Sequence, residues 1–151
     1  FKTVGERAGE LQHYDNLAQF CTLAGELNFD EGDIESSAEM FEQAIVAVFM
    51  AWYERRSQFD GGEGEHLVEF SGLGEIISAI FKCIERALNQ QNLVQAQEFH
   101  DQLLSKLRGS DYWESIEPLV TWFLEPIRNY FDEPADQSFR DFSLSVLSVY
   151  E

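Results

Sequence analysis

Apolar residues recur at intervals of three and four along most of the chain, which is the period of a helix with one buried face. The first series ends at the acidic turn "NFDEGD", and the second begins directly after that turn. Three further series follow, and together the pattern predicts five long amphipathic helices. Their apolar positions include Leu11, Tyr14, Leu17, Ala18, Cys21 and Ala24; Ile34, Ala38, Phe41, Ile45, Val48 and Trp52; Leu73, Ile76, Ile77, Ile80, Ile84 and Leu88; Leu93, Ala96, His100, Leu103, Leu104 and Leu107; and Trp113, Ile116, Val120, Phe123 and Leu124.

Polar residues at the ends of these series predict where helices begin and end. Asp33 is the expected N-cap of the second helix, with Glu35 complementing the helix dipole in its first turn. Gly109 follows the fourth series and suits the C′ position of a helix. Asp111 with Glu114 three residues later resembles a capping box, which predicts the start of the fifth helix.

Prolines interrupt the final third of the sequence. Pro118 and Pro126 fall inside the fifth series, and a proline in a helix interior costs about 3 kcal/mol. We therefore expect this helix to be kinked or split. The last helix is predicted to follow Pro134, with Phe139, Phe142, Val146 and Val149 on one face. The same segment, "FSLSVLSVY", also alternates like a strand, but no other segment offers a strand for it to pair with.

The segment "QFDGGEGEHLVEFSGLG" contains five of the ten glycines, which predicts the main loop in the middle of the chain. The fold class expected is therefore all-α, with five to seven antiparallel helices arranged as a bundle or as stacked helical hairpins. With 151 residues and 44% hydrophobic residues, positions 1–151 are expected to form a single all-α domain.

The segment "AGELNFDEGDIESSAEMFEQAI" resembles one tetratricopeptide unit. In that family a glycine lies in the first helix, a Gly-Asp-type turn follows, and small and aromatic residues lie on the second helix. Gly25, Phe29, Gly32, Phe41 and Ala44 fit this order, whereas alanine is preferred where this chain has a serine. The resemblance implies a helical hairpin of the kind that stacks into a scaffold for protein binding.

A second segment, "ERALNQQNLVQAQEFHDQLL", is similar to the tetratricopeptide pattern in part. Leu88, Leu93 and Ala96 fit, but His100 stands in the usual aromatic place and no glycine marks the turn. The two segments cover about a third of the chain and are separated by the glycine-rich loop. They do not form a regular tandem array, so a plain helical bundle containing one such hairpin is the alternative.

The chain is strongly acidic, with 28 acidic and 10 basic side chains and a formal net charge of −18. This charge repels nucleic-acid phosphates and anionic lipid headgroups, and it favours a basic protein partner. A solvated outer face explains most of the acidic residues, and mimicry of a nucleic acid is a further alternative. We expect no binding to nucleic acid or to membranes.

Cys21 and Cys83 both lie within apolar helical patterns, which favours buried free thiols in a reducing compartment, with a single disulfide as the alternative. The first residues show no signal-peptide pattern, and no apolar run reaches the roughly 18 residues of a membrane span. These features predict a cytoplasmic protein.

The three histidines are the first candidates for chemistry. Glu10 with His13, and Glu63 with His66, have the Glu-x-x-His spacing of di-metal sites in helical bundles, but such sites need two further carboxylates. His66 with His100-Asp101 is similar to the pattern of metal-dependent phosphohydrolases. A surface position of His100 on its helix is the plainer interpretation.

From His66 onward the chain is also similar in order to the second half of a globin. That resemblance implies a haem-binding sensor or carrier, with His66 in the distal position and His100 in the proximal position, where an imidazole ligates iron. The first half of the chain offers no counterpart of the phenylalanine that wedges the haem. The leading expectation is accordingly that the protein has no cofactor.

No nucleophile has a base nearby in sequence, and no phosphate-binding glycine motif is present, so we expect no catalytic residue. Aromatic and arginine side chains, which are enriched at interface hot spots, cluster in "FMAWYERR" and "DYWESIEPLVTWF". The predicted function is a non-enzymatic protein–protein interaction module, such as an adaptor, a chaperone or an inhibitor of a basic partner, with a homodimer as a further possibility. The residues predicted to bind the partner are Trp52, Tyr53, Arg55, Arg56, Trp113 and Trp122.

Overall fold

The structure is a computed structural model that describes residues 4–58, 71–133 and 138–148. These residues form six helices and no strand, which confirms the all-α prediction. Predicted apolar series coincide with the helices. The last four residues of the predicted glycine-rich loop belong to the third helix, and residues 59–70 of that prediction lie outside the described residues. The helices are α1 (Val4–Asp30), α2 (Ile34–Gln58), α3 (Ser71–Asn89), α4 (Leu93–Arg108), α5 (Trp113–Asp132) and α6 (Phe139–Ser148).

A tight turn joins α1 to α2. Gly32 has a φ of +86°, a left-handed conformation that glycine adopts without steric cost. The backbone N–H of Asp33 donates to the carbonyl of Asn28, and the Asp33 carboxylate accepts a hydrogen bond of 3.1 Å from the N–H of Ser36. The predicted N-cap of α2 is therefore confirmed, and the short turn makes α1 and α2 an antiparallel hairpin.

Gly25 of α1 lies directly against the ring of Phe41 on α2. A Cβ atom at this position would lie 2.8 to 3.0 Å from the ring of Phe41, so a glycine is required for the ring to pack there. The hydroxyl of Ser37, which is fully buried, donates a hydrogen bond of 2.6 Å to the Gly25 carbonyl. This bond satisfies a buried polar group and ties α2 to α1 at the point of contact.

The second hairpin, α3 and α4, packs on the first through aromatic side chains. Phe99 of α4 meets Phe29 and Phe41 edge-on, with ring centroids 5.1 and 5.7 Å apart. The α3–α4 turn is short, and Asn92 caps α4 by accepting a hydrogen bond from the N–H of Gln95. The two hairpins thus share one apolar layer.

Helix α5 is one continuous helix, so the predicted split is wrong. Pro118 and Pro126 both lie inside it, between Trp113 and Asp132. Each proline removes one backbone hydrogen bond, but tertiary burial of six apolar side chains outweighs that loss. The buried side chains of α5 are Ile116, Leu119, Val120, Phe123, Leu124 and Ile127.

The turn before α5 also differs from the sequence prediction. The N-cap is Tyr112, which makes no side-chain capping hydrogen bond, so the capping box expected from Asp111 and Glu114 is wrong. Gly109 does end α4, but with φ −81° and ψ −4° rather than the left-handed conformation of a C′ glycine. Its N–H donates to carbonyls of the last turn of α4. Backbone hydrogen bonds in this turn therefore replace the predicted capping box of α5 and the predicted left-handed glycine at the end of α4.

Helix α6 is confirmed as a helix rather than a strand. Its residue Phe139 is buried and packs edge-on against Phe81 of α3 and Tyr130 of α5, with ring centroids 6.0 and 5.2 Å apart. Phe142 adds a further ring to this group at 5.0 Å from Tyr130. These aromatic contacts attach the short last helix to the rest of the molecule.

One continuous apolar cluster contains residues from all six helices. Cys21 and Cys83 lie in this cluster as free thiols, as predicted, and burial raises the pKa of Cys83 to about 11. A thiol with so high a pKa remains protonated and unreactive at neutral pH. None of the helices in the described part of the chain is long and apolar enough to cross a membrane.

Candidate functional site

The outer face of α2 lines a groove of about 580 Å³. The inner face of α2 is buried against α1 and α4, so the side chains on the opposite face are the ones that reach the surface. Residues of α1 and of the end of α4 form the two walls. We call this surface the α2 groove; its lining residues are Tyr14, Leu17, Glu39, Glu42, Gln43, Val46, Ala47, Met50, Lys106 and Gly109.

The α2 groove combines an apolar floor with acidic groups. Leu17, Val46 and Met50 are half-buried apolar side chains that line it. Glu39 and Glu42 lie three residues apart and therefore on neighbouring positions of one helix face. An elongated apolar surface beside two carboxylates is suited to a partner segment that is apolar on one side and basic on another.

The environment of the groove perturbs the carboxyl group of Glu42. Its pKa is raised, chiefly because partial burial disfavours the charged form and additionally because Glu39 lies nearby. Lys106 acts in the opposite direction and lowers the pKa of Glu42. A carboxylate that has lost part of its hydration gains most from a cation brought close to it, so Glu42 is the strongest candidate for contact with a basic side chain.

Lys106 is the positive charge of the α2 groove. Its Nζ atom lies 3.9 Å from Oε1 of Glu35, and the lysine side chain is only 24% exposed. Lys106 therefore partly neutralises an otherwise acidic surface. Because Lys106 also acts on the carboxyl group of Glu42, a basic side chain from a partner would compete with Lys106 at Glu42.

An aromatic patch lies at the end of α2. The ring of Phe49 contacts Trp52, Tyr53 and Tyr112 at centroid distances of 5.8, 6.3 and 5.4 Å. Tyr53 is 58% exposed, whereas Trp52 is half-buried against the core. Because Tyr53 follows Met50 by three residues, it continues the helix face that lines the α2 groove.

The other residues predicted to bind a partner do not join this patch in one surface. Trp113 lines a separate pocket of about 490 Å³ between α4 and α5, together with Arg108 and Arg128. Trp122 does not line that pocket and is half-buried against the core. Arg55 and Arg56 belong to the last turns of α2, but their side chains lie outside the described part of the structure. The aromatic patch thus brings together two of the predicted residues, Trp52 and Tyr53, with Tyr112, the residue before Trp113.

His100 is a core residue and not the surface residue expected from the sequence. It is 2% exposed; its Nε2 donates a hydrogen bond of 2.9 Å to the carbonyl of Leu124, and its Nδ1 lies 3.1 Å from Oδ1 of Asp101. The ring also meets Phe131 edge-on. His100 therefore connects α4 to α5, and neither ring nitrogen is available to ligate iron in this arrangement.

The remaining histidine interpretations find no support in the described residues. His13 is exposed on α1, while His66, Glu63 and the side chain of Glu10 lie outside the described part. Among described residues, no group of three histidine, cysteine, aspartate or glutamate side chains could hold a metal ion. The haem and metal-dependent hydrolase alternatives both require His66, which lies outside the described residues, so they stay predictions from the sequence.

The apolar series predicted for the second helix describes only one of its faces, so it did not reveal the α2 groove. The inner face of α2 is buried and consists of the apolar residues Ile34, Ala38, Phe41, Ile45 and Val48. The helix also contains apolar residues on its opposite face. A helix with a single buried face does not require apolar residues at the positions of Val46 and Met50. This excess, next to glutamates one turn earlier, was the signal that could have revealed the groove.

Comparison with known protein families, with curated proteins and with solved structures finds no match to this chain. The tetratricopeptide and globin resemblances therefore stay predictions from sequence motifs. The contact between Gly25 and Phe41 explains why those two motif positions carry a glycine and an aromatic residue, whatever the evolutionary origin of the hairpin.

Proposed function

We propose that the protein is a non-enzymatic interaction module whose α2 groove binds a basic, amphipathic segment of a protein partner. The observation that carries this proposal is the half-buried apolar floor beside Glu39 and Glu42, where the pKa of Glu42 is raised by burial. Adaptors, chaperones and inhibitors of basic partners all need such a surface. The buried free thiols Cys21 and Cys83 support a site of action in a reducing compartment such as the cytoplasm.

The dimensions of the groove favour a helical partner segment. From Glu39 to Tyr53 the lining face of α2 spans roughly 21 Å, at 1.5 Å per residue, which matches a partner helix of about four turns. A helix with apolar residues on one face would cover Val46 and Met50. Its lysine or arginine residues, spaced three or four apart, would then reach the glutamates. The net charge of −18 would increase the rate at which such a segment is captured.

The proposal can be tested by calorimetric titration with a synthetic amphipathic helix made of leucine and lysine. We expect binding that weakens with added salt, and we expect Glu39→Gln with Glu42→Gln together to weaken it about tenfold, since each exposed charged contact contributes about 0.7 kcal/mol and about 1.4 kcal/mol corresponds to a factor of ten. The matched control is Glu98→Gln with Glu114→Gln, which removes the same charge from exposed positions outside the groove. The control should bind almost as well as the unmodified protein.

Lys106 provides a second test because it should compete with the partner. Lys106→Met removes that competition, and we expect it to tighten binding of the leucine–lysine helix several-fold. Lys82→Met, at an exposed position of α3, makes the same charge change away from the groove. Equal effects of the groove and control variants would show that binding depends only on net charge, and no binding at low salt would contradict the proposed function.

A further inference from the structure

A second apolar surface lies on the outer side of α1. Phe20, Leu23 and Leu27 are 66%, 61% and 63% exposed, although large apolar residues are usually buried. Their spacing of three and four places them on one helix face, which we call the α1 stripe. The opposite face of α1 packs into the molecule through Ala18, Cys21, Gly25 and Phe29. No described residue covers the α1 stripe.

The charges around the α1 stripe differ from those of the rest of the chain. Residues 16–25 contain no charged side chain, although the whole chain carries −18. The exposed side chains His13 and Glu31 lie at the two ends of the stripe, 18 residues or five helical turns apart, and therefore point in about the same direction. One end of the face thus carries an imidazole, the middle is neutral and apolar, and the other end carries the carboxylates of Glu31 and of the exposed Asp30.

We propose that the α1 stripe is the contact between two copies of this chain, with their α1 helices antiparallel. Two chains of charge −18 can approach closely only through a neutral surface, and residues 16–25 provide one. A two-fold axis near Leu23 places Phe20 of each copy against Leu27 of the other. The antiparallel arrangement also brings His13 of one copy toward Glu31 of the second copy, whereas a parallel arrangement would place Glu31 against Glu31.

The size of the α1 stripe predicts a weak, reversible dimer. Three large side chains from each copy form an interface at the small end of the range for specific complexes. The cost of association offsets much of the gain from burying them, so the dissociation constant should be on the order of tens of micromolar. The side chains of α1 that line the α2 groove, Tyr14 and Leu17, are not part of the α1 stripe.

Analytical ultracentrifugation from about 1 to about 500 µM tests the proposal, because this range brackets the expected dissociation constant. We expect a monomer–dimer equilibrium that Leu23→Glu weakens at least about tenfold by placing a carboxylate in the neutral contact. Val94→Glu is the matched control, since Val94 is 72% exposed on α4. Because both positions are exposed, circular dichroism should show that both variants remain folded.

His13→Lys tests the orientation of the two helices. In the antiparallel dimer the new lysine lies near Glu31 of the second copy, so the dimer should become tighter than with Val94→Lys, which makes a similar change in charge elsewhere. A chain that stays monomeric throughout the concentration range overturns the proposal. Self-association that Leu23→Glu leaves unchanged, or that His13→Lys weakens, overturns it as well.

Discussion

Single residues decide how closely the first two helices pack. Gly25 leaves room for the ring of Phe41, and the Ser37 hydroxyl bonds the Gly25 carbonyl at the same level of the hairpin. Phe41 in turn meets Phe99 of the second hairpin. The absence of one side chain at Gly25 therefore positions an aromatic ring that joins three helices.

Gly25→Ala should destabilise the protein for this reason. The added methyl group would lie 2.8 to 3.0 Å from three ring atoms of Phe41, and overpacking of this kind costs about 1–3 kcal/mol, more than the gain in helix propensity. Urea unfolding measures the difference. Gly109→Ala is the control because its Cβ would meet only ordinary contacts at 3.6 and 3.7 Å. An unchanged stability of Gly25→Ala would show that the ring moves aside without cost.

Glu42, which we propose contacts the partner, lowers the free energy of unfolding at neutral pH. Because its pKa is raised in the folded state, the folded chain binds this proton more tightly than the unfolded chain does. The resulting contribution to stability is fully present below the ordinary glutamate pKa of 4.5 and is lost as the pH rises through the raised pKa. At neutral pH, Glu42 therefore costs stability while it supplies charge to the groove.

Glu42→Gln should accordingly make the protein more stable than the unmodified chain at about pH 7, and this difference should shrink toward about pH 4, where Glu42 is protonated. Urea unfolding at several pH values provides the measurement. Glu98→Gln controls for the loss of one negative charge at an exposed position. A variant less stable than the unmodified chain at neutral pH would mean that Glu42 stabilises the fold, contrary to this account.

The sequence predicts residue roles well where one interaction decides them. Asp33 as an N-cap and the two cysteines as buried free thiols are confirmed. The burial of His100 was missed because its partner, the Leu124 carbonyl, lies 24 residues away on another helix. A periodic pattern shows that a side chain faces inward, but it does not show which distant backbone group will satisfy it.

The apolar period predicts which segments are helical more reliably than it predicts where each helix begins and ends. All six helices agree with the predicted series, whereas the capping box at Asp111 is wrong and α5 is a single helix. Local signals such as proline and capping residues contribute at most a few kcal/mol each. The burial of six apolar side chains along α5 exceeds them, and a local pattern contains no information about that tertiary gain.

Pro118→Ala tests whether α5 tolerates its prolines at a cost. Pro118 is exposed, and alanine would restore the N–H that can donate to the Glu114 carbonyl. After allowance for the greater freedom of the unfolded chain, we expect a gain of about 1–2 kcal/mol, which raises the melting temperature by about 3–6 °C. Thr121→Ala, at another exposed position of α5, should change stability by less than about 0.5 kcal/mol. A loss of stability in Pro118→Ala would mean that the proline shapes α5 favourably.

At the scale of the whole molecule, the first hairpin presents two surfaces of different character. The α2 groove is apolar with carboxylates and suits a basic segment, whereas the α1 stripe is apolar and neutral and suits a second copy of the same acidic chain. The sequence predicted the acidic character through its composition and the helical fold through the period of its apolar residues. It did not predict where the apolar surfaces lie, because their exposure depends on how the hairpins stack.

The most direct test of the central claim is to map the binding of the leucine–lysine helix by amide chemical shifts in NMR spectra. We predict that the shifts concentrate on Tyr14, Leu17 and the face of α2 from Glu39 to Tyr53. When Glu39 and Glu42 are both replaced by glutamine, we predict that about tenfold more peptide is needed to reach the same shifts. Shifts centred on another face, or a titration midpoint that this variant leaves unchanged, would contradict the assignment of the α2 groove as the binding site.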